Sequence, residues 1–152
     1  MHQAYCRIVP LDRYNWEGCL KISLLPEQES FVPSVLYSLA QARFENLSPY
    51  GIEVEGEIVG LIMYGDFGGI CWISRVLIDY RYQRQGIGNA AIRQLLEHLG
   101  GKYSCKEIRT SYSMSNDAAD KFFRSMGFRP ISEPVDGEVV ARYEGVDLRL
   151  GI

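Results

Sequence analysis

Histidine is nearly absent from this sequence, occurring only as His2 and His98, and the four cysteines, Cys6, Cys19, Cys71 and Cys105, are scattered with no C-x-x-C pair. That donor set lacks the spacing of a zinc site, so no metal is expected. Cys71 and Cys105 read instead as small buried hydrophobes in or beside apolar strands. No apolar run approaches the length of a membrane span, and the N-terminus has no signal-peptide core, so a cytoplasmic protein with reduced thiols and no membrane partner is expected. Basic charge is not in excess either. Against 19 Asp and Glu there are 16 Lys and Arg, for a net charge of −3, which argues against a general nucleic-acid binder. Repeats, linkers and low-complexity tracts are also missing.

What remains is an ordinary globular composition, 47% hydrophobic and 23% charged over 152 residues, enough for one domain spanning 1–152 with a substantial core. Read in order, Ala4 to Val9 is a first strand closed by Pro10, and Asp12 caps a helix carrying Tyr14, Trp16, Cys19, Leu20 and Ile22. A polar, acidic loop follows from Leu25 to Ser30. A second helix from Pro33 to Leu47 is expected to bury Val35, Leu36, Leu39, Ala40, Phe44 and Leu47, and Ser48-Pro49 ends it. Strands Ile52–Glu55, Ile58–Tyr64 and Ile70–Ile78, joined by Glu55-Gly56-Glu57 and Asp66-Phe67-Gly68-Gly69, form an antiparallel meander. A long helix after Gly88 leads to strand Glu107–Tyr112. Asn116 then opens a helix with Ala118, Ala119, Phe122, Phe123 and Met126 inward and Gly127 as its stop. Strands Phe128–Ile131 and Glu138–Leu150 finish the sheet.

The most informative stretch is Val76-Leu77-Ile78 followed by Asp79-Tyr80-Arg81-Tyr82-Gln83-Arg84-Gln85-Gly86-Ile87-Gly88-Asn89. An apolar strand runs into a polar connection, and two glycines open a helix whose Ile87, Ala91, Ile92, Leu95, Leu96 and Leu99 recur at helical spacing. The first turn of a helix leaves N–H groups without partners and carries the positive end of the dipole. Glycine lets a ligand approach the main chain, and Arg84 adds a charge suited to phosphate. Such an end holds a phosphate or pyrophosphate well, although Gly86 and Gly88 can equally be read as a tight turn. Gly86-Ile-Gly88-Asn-Ala-Ala91 also fits the dinucleotide fingerprint. However, seven residues, Asp79 to Gln85, separate strand from glycine, and the acidic Glu107 opens the next strand instead of closing it.

Gln83-Arg84-Gln85-Gly86-Ile87-Gly88 resembles the Gln/Arg-x-x-Gly-x-Gly/Ala motif of the GCN5-related N-acetyltransferases. Asn116-Asp-Ala-Ala119-Asp-Lys-Phe-Phe123-Arg-Ser-Met-Gly127-Phe128 resembles that family's N-x-x-A-x-x-x-[YF]-x-x-x-G-F segment, and the element order βααβββαβαββ matches from end to end. The resemblance implies an α+β fold, a mixed and mostly antiparallel sheet with helices on both faces. It also implies transfer of an acetyl group from acetyl-CoA directly to an amine. The cofactor contacts it implies are the main chain of Val76, Leu77 and Ile78, the loop Gln83, Arg84, Gln85, Gly86, Ile87, Gly88 and Asn89, and Asn116, Ala119 and Phe123. Many members carry a proton-donating tyrosine where Phe123 stands. Here either solvent protonates the thiolate, or another hydroxyl such as Tyr112 or Tyr82 takes the role. Glu53, Asp66 and Asp79 are the candidate bases, with Glu53 equally readable as the exposed face of its strand, Asp66 as a turn former and Asp79 as the fixture of the loop. Arg75, midway along a strand, must find a carboxylate or the mouth of a site, and a structural ion pair is the expected outcome.

Segments 26–32, 36–42 and 60–65 resemble bacterial diamine, spermidine and spermine acetyltransferases. That resemblance implies a small-molecule amine as acceptor, with Glu27, Glu29, Tyr37, Tyr64 and Ser74 lining a groove for a protonated alkyl chain through ionic and cation–π contacts. Relatives usually carry Asp or Glu at Ser74, and Glu27 and Glu29, each taken singly, read rather as part of a solvated acidic loop. The alternatives are a protein or peptide N-acetyltransferase of the same fold, a coenzyme A-binding module with little turnover, and, more remotely, a nicotinamide enzyme. The family often forms homodimers.

Overall fold

In a computed structural model that describes residues 5–102 and 104–145, the strands are β1 (Arg7–Pro10), β2 (Ser48–Val54), β3 (Glu57–Phe67), β4 (Ile70–Ile78), β5 (Glu107–Ser113), β6 (Phe128–Pro130) and β7 (Glu138–Tyr143). The helices are α1 (Pro26–Glu29), α2 (Val35–Phe44), α3 (Ile87–Gly100) and α4 (Asp117–Ser125), with 3₁₀ turns at Trp16–Lys21 and Tyr80–Tyr82. The strands make one sheet in the order β1-β2-β3-β4-β5-β7-β6. Every neighbouring pair is antiparallel except β4 with β5, which α3 connects as a parallel crossover. The fold is the expected α+β arrangement with helices on both faces.

Strand alternation divides the core in two. On one face Ile52, Ile62, Tyr64, Ile73, Ile108 and Phe128 meet the buried stripe of α3, Phe123 of α4 and Met126 just beyond its end. On the other, Ile58, Leu61, Met63 and Leu77 meet Cys19, Ile22 and Ala42. α3 buries Ile87, Ala91, Ile92, Leu95, Leu96 and Leu99, the residues its spacing selects, and each full burial of such a side chain contributes about 1.5–3 kcal/mol. Gly127, at φ 102°, ends α4 in the left-handed conformation that glycine adopts without strain.

Several elements depart from their sequence reading. Asp12 caps no α-helix. Its carboxylate accepts the Tyr14 and Asn15 N–H groups in a local turn, and a 3₁₀ segment follows. The acidic loop contains a one-turn helix, α1, because Pro26 presets φ and the Gln28 side chain caps Leu25 N–H at 3.2 Å. Ser48 and Pro49 open β2 rather than merely ending a helix; they face Tyr64 and Met63. In α2 the buried residues are Ser38 and Ala42, while Leu36, Ala40 and Phe44 point to solvent. The helix is apolar nearly all round, so its periodicity could not tell inside from outside. Ala118 of α4 is likewise exposed. Of the expected terminal strands, Ala4 and residues 146–150 lie outside the described residues.

Candidate active site

The sheet splits beside β4. Pairing with β5 runs only from Ile70 to Ile73 against Glu107 to Thr110, after which Ser111 to Ser113 of β5 pair with β7 alone. Among the described residues no strand lies beside the outer edge of β4 from Ser74 to Ile78. A bulge marks the parting: Tyr64 faces Ile73 and Met63 faces Arg75, leaving Ser74 as the extra residue. Asp79 N–H donates to Val59 C=O at 2.8 Å. In that register Leu77 and Arg75 turn their backbone groups toward β3, whereas Val76 and Ile78 turn theirs to the open edge. The Leu77 amide is therefore spent within the sheet. The Ile78 carbonyl is taken by the Gln83 side-chain amide at 2.9 Å.

The open edge leads into the glycine loop. Arg84 at φ 62° and Gly86 at φ 80° both sit in the left-handed region, a conformation that turns successive N–H groups toward one concavity. The backbone N–H groups of Arg84, Gln85, Gly86, Ile87, Gly88 and Asn89 have no partner among the described residues. Phe122 of α4 stands over Gly88, where an added Cβ would lie 3.6 Å from its ring. Asn116 caps α4 by accepting Ala119 N–H at 3.1 Å. This corner is open, polar and positive, as an anionic diphosphate requires.

Asp79 supports the loop from beneath. Its carboxylate is 2% exposed and accepts Arg81 N–H at 2.9 Å, Arg81 Nε–H at 2.9 Å and Ser23 N–H at 3.1 Å. Burial pushes its pKa up, but the Arg81 and Ser23 hydrogen bonds outweigh this and hold it below the usual carboxylate range. A second brace joins α1 to the loop through reciprocal amide bonds between Gln28 and Gln83, at 2.9 and 3.0 Å. Nothing in the local sequence around Gln28 signals this contact, which depends on residues 55 apart.

The candidate catalytic and acceptor residues are less well gathered. Glu53 faces Ile58 near the β2–β3 turn and pairs with Arg7 at 2.8 Å, two strands from the open edge. Asp66 accepts Gly69 N–H and Ser104 O–H at the opposite end of β3. Tyr112 O–H donates to Asp120 at 2.7 Å, and its ring stacks on Phe123 with centroids 5.8 Å apart. Burial, then the Asp120 hydrogen bond and charge, push its pKa up to about 12. Asp120 is itself held low by that hydrogen bond.

Glu27, Glu29 and Tyr37 are exposed on α1 and α2, and Ser74 lies half-buried at the bulge. Tyr64 is not with them. It is 5% exposed on the α3 face, packed against Tyr50 and His98, so the sheet separates it from Tyr37. Among the described residues Arg75 has no carboxylate within ion-pair reach, contrary to the expected structural pair. Its guanidinium instead donates to Ser38 Oγ at 2.9 Å, to Ser74 C=O at 3.0 Å and to Gln41 Oε1. Burial lowers its pKa. Among the described residues no group of three His, Cys, Asp or Glu is placed to hold a metal ion, and no helix is long and apolar enough to cross a membrane.

The model of the acetyltransferase (GNAT) family matches residues 14–128. The spermine/spermidine N(1)-acetyltransferase of Bacillus subtilis (strain 168) is 32% identical over 124 residues, which cover 76% of this chain and 82% of that protein. Among solved structures, a GNAT family acetyltransferase from Elizabethkingia anophelis with acetyl-CoA bound superposes with a TM-score of 0.69 at 16% identity, covering 91% of this chain and 97% of that one. The ribosomal-protein-S18-alanine N-acetyltransferase from Escherichia coli gives 0.72 at 18% identity, covering 93% and 96%. At those identities the two structures speak for the fold.

Proposed function

The chain belongs to the acetyltransferase (GNAT) family and is an acetyl-CoA-dependent N-acetyltransferase, and on that premise we propose that it acts as one domain over residues 1–152 on a primary amine of a diamine or polyamine. One observation carries the donor side: the open edge of β4 runs directly into a loop of unpartnered amides. In this reading the C=O of Val76 and the N–H of Ile78 pair with the amides of the pantetheine arm as an added strand would, which leaves the Val76 N–H to the thioester. Amides 84–89 and the Arg84 guanidinium hold the diphosphate. Asn116 and Ala119 border the arm where α4 begins, while Phe123, expected there as well, is buried further along α4 and backs them from the core. Leu77 contributes packing, and Gln83 contributes its brace on Ile78 rather than a phosphate contact.

The acceptor nitrogen bonds to the acetyl carbon, the carbon–sulfur bond breaks, and the amine loses a proton while the thiolate gains one. In this reading the Val76 N–H polarises the thioester carbonyl. None of Glu53, Asp66 and Asp79 has a carboxylate turned to the open edge, so the amine proton leaves through water. Tyr112 has committed its proton to the Asp120 hydrogen bond and has a raised pKa, so solvent protonates the thiolate.

For the acceptor, the relationship to the B. subtilis enzyme supports a polyamine, with Glu27, Glu29, Tyr37 and Ser74 as its contacts in this reading. Arg75 favours a second reading. A guanidinium without a carboxylate, beside a serine, suits a peptide amine that carries an acidic neighbour better than it suits a dication. Release of free thiol in the presence of spermidine, diaminopropane and a panel of N-terminal peptides separates these readings. Turnover with the polyamines supports the first, and turnover with acidic peptides alone replaces it. Coenzyme A binding without thiol release from any amine refutes both.

A further inference from the structure

We infer that Gln28 is a positioning residue for the amine: through Gln83 it fastens α1 to the stretch of chain that receives the cofactor, so that filling the donor site steadies the acidic wall of the acceptor site. This role rests on the polyamine reading, in which Glu27 and Glu29 are contacts of the amine. The two glutamates flank Gln28 on α1.

α1 cannot hold its own place. It has four residues, none of them buried, and a single turn of helix is not stable by itself in water. Leu24 and Val32, on either side, pack against the cluster that contains Leu61 and Leu77, which anchors the ends of the connection but not the turn between them. Among the described residues, the hydrogen bonds that tie α1 to a distant part of the chain all run through the Gln28 side chain. Its Oε1 accepts Leu25 N–H at 3.2 Å and Gln83 Nε2–H at 2.9 Å, and its Nε2 donates to Gln83 Oε1 at 3.0 Å. The second hydrogen of Gln83 Nε2 goes to Ile78 C=O at 2.9 Å. A continuous run of hydrogen bonds thus leads from α1 to the end of the open edge, at the residue whose N–H is assigned to the arm. A second tie lies just upstream, where Ser23 N–H donates to Asp79 and Ser23 C=O accepts Tyr80 N–H at 2.8 Å. A cofactor that fixes Ile78 and the loop after it therefore fixes α1 as well, and the amine then meets a wall already ordered. The coupling is reciprocal, and two hydrogen bonds of ordinary net strength set its scale at roughly 5- to 150-fold.

Kinetics and a cofactor titration on the full chain test this. With spermidine as acceptor, Gln28→Ala should raise the KM for the amine at least about fivefold, while kcat and the KM for acetyl-CoA change less than about twofold. A variant that was merely less stable would lose active enzyme, and so kcat, without moving the KM for one substrate alone. Gln83→Ala should raise the amine KM too, and the double variant no further than Gln83→Ala by itself. In ¹⁵N-labelled protein, coenzyme A should shift the amides of Glu27 and Glu29 with the same saturation as those of the glycine loop, though by less. In Gln28→Ala those α1 shifts should vanish while the loop shifts persist. An amine KM that Gln28→Ala leaves unchanged, or α1 amides that stay still while coenzyme A saturates the loop, overturns the inference and leaves the polyamine reading standing. No thiol release from the wild-type chain with spermidine or diaminopropane refutes that reading, and the inference with it.

Discussion

Replacing Asp79 by asparagine isolates the brace beneath the diphosphate loop. The buried aspartate offers two oxygens to four donors, namely Arg81 N–H, Arg81 Nε–H, Arg81 Nη2–H and Ser23 N–H. Asparagine keeps one oxygen and turns an NH₂ group toward the others. At least one donor is left without its partner, at a cost of about 1–3 kcal/mol, and the surviving bonds are no longer charge-assisted. The Arg81 guanidinium is largely in water, so its ion pair adds little. The expected destabilisation is about 2–3 kcal/mol in urea unfolding at pH 7, or a fall in Tm of roughly 4–10 °C. The sign of its pH dependence follows from the lowered folded-state pKa. The carboxylate stabilises the fold above its unfolded pKa, and that contribution disappears as pH falls through the folded value. The gap between wild type and Asp79→Asn must therefore shrink below about pH 4. Acetyl-CoA affinity should fall with it, because the amides lose their shape while Arg84 and both glycines remain. A stability change under about 0.5 kcal/mol, or a gap that stays constant to pH 3, would refute the reasoning.

Other substitutions probe the same account. Gly86→Val forces a β-branched residue to φ 80° and puts a side chain where phosphate must approach. Removing about 2–3 kcal/mol of charge-assisted hydrogen bonding should weaken acetyl-CoA binding, measured by calorimetry, roughly 30- to 150-fold. Gly88→Ala meets only ordinary van der Waals packing with Phe122 and sits in a helix, so it should raise stability by up to about 1 kcal/mol and leave affinity nearly unchanged. Tyr112→Phe removes one hydrogen bond, costing about 1 kcal/mol, and should change kcat less than about threefold; a fall of ~100-fold would make Tyr112 the general acid. Phe128→Ala empties a fully buried site between Phe123 and Tyr143 and should cost about 3–5 kcal/mol in chemical denaturation.

What could be read from the sequence depended on whether a residue's role is local. The glycine motif and α3 were legible because helix periodicity and terminal chemistry lie within one segment. The meander was legible for the same reason, each turn lying between adjacent apolar runs. Asp79 could be placed as a loop fixture because it precedes the polar connection, though its Ser23 partner could not. α2 failed because both its faces are apolar, and Tyr64 failed because strand parity, not residue type, decided which side of the sheet received it. The Gln28–Gln83 brace and the Arg75 hydrogen bonds to Ser38 and Gln41 join residues more than 30 positions apart. Polar pairs of that kind leave no pattern in a single sequence.

The most direct measurement is the backbone amide spectrum of ¹⁵N-labelled protein titrated with coenzyme A. The N–H groups of Arg84 through Asn89, together with those of Val76 and Ile78, should show the largest shifts, and the Leu77 amide, already bonded across to β3, should move far less. Saturable binding that leaves amides 84–89 in place while shifting another surface would contradict the account at its centre.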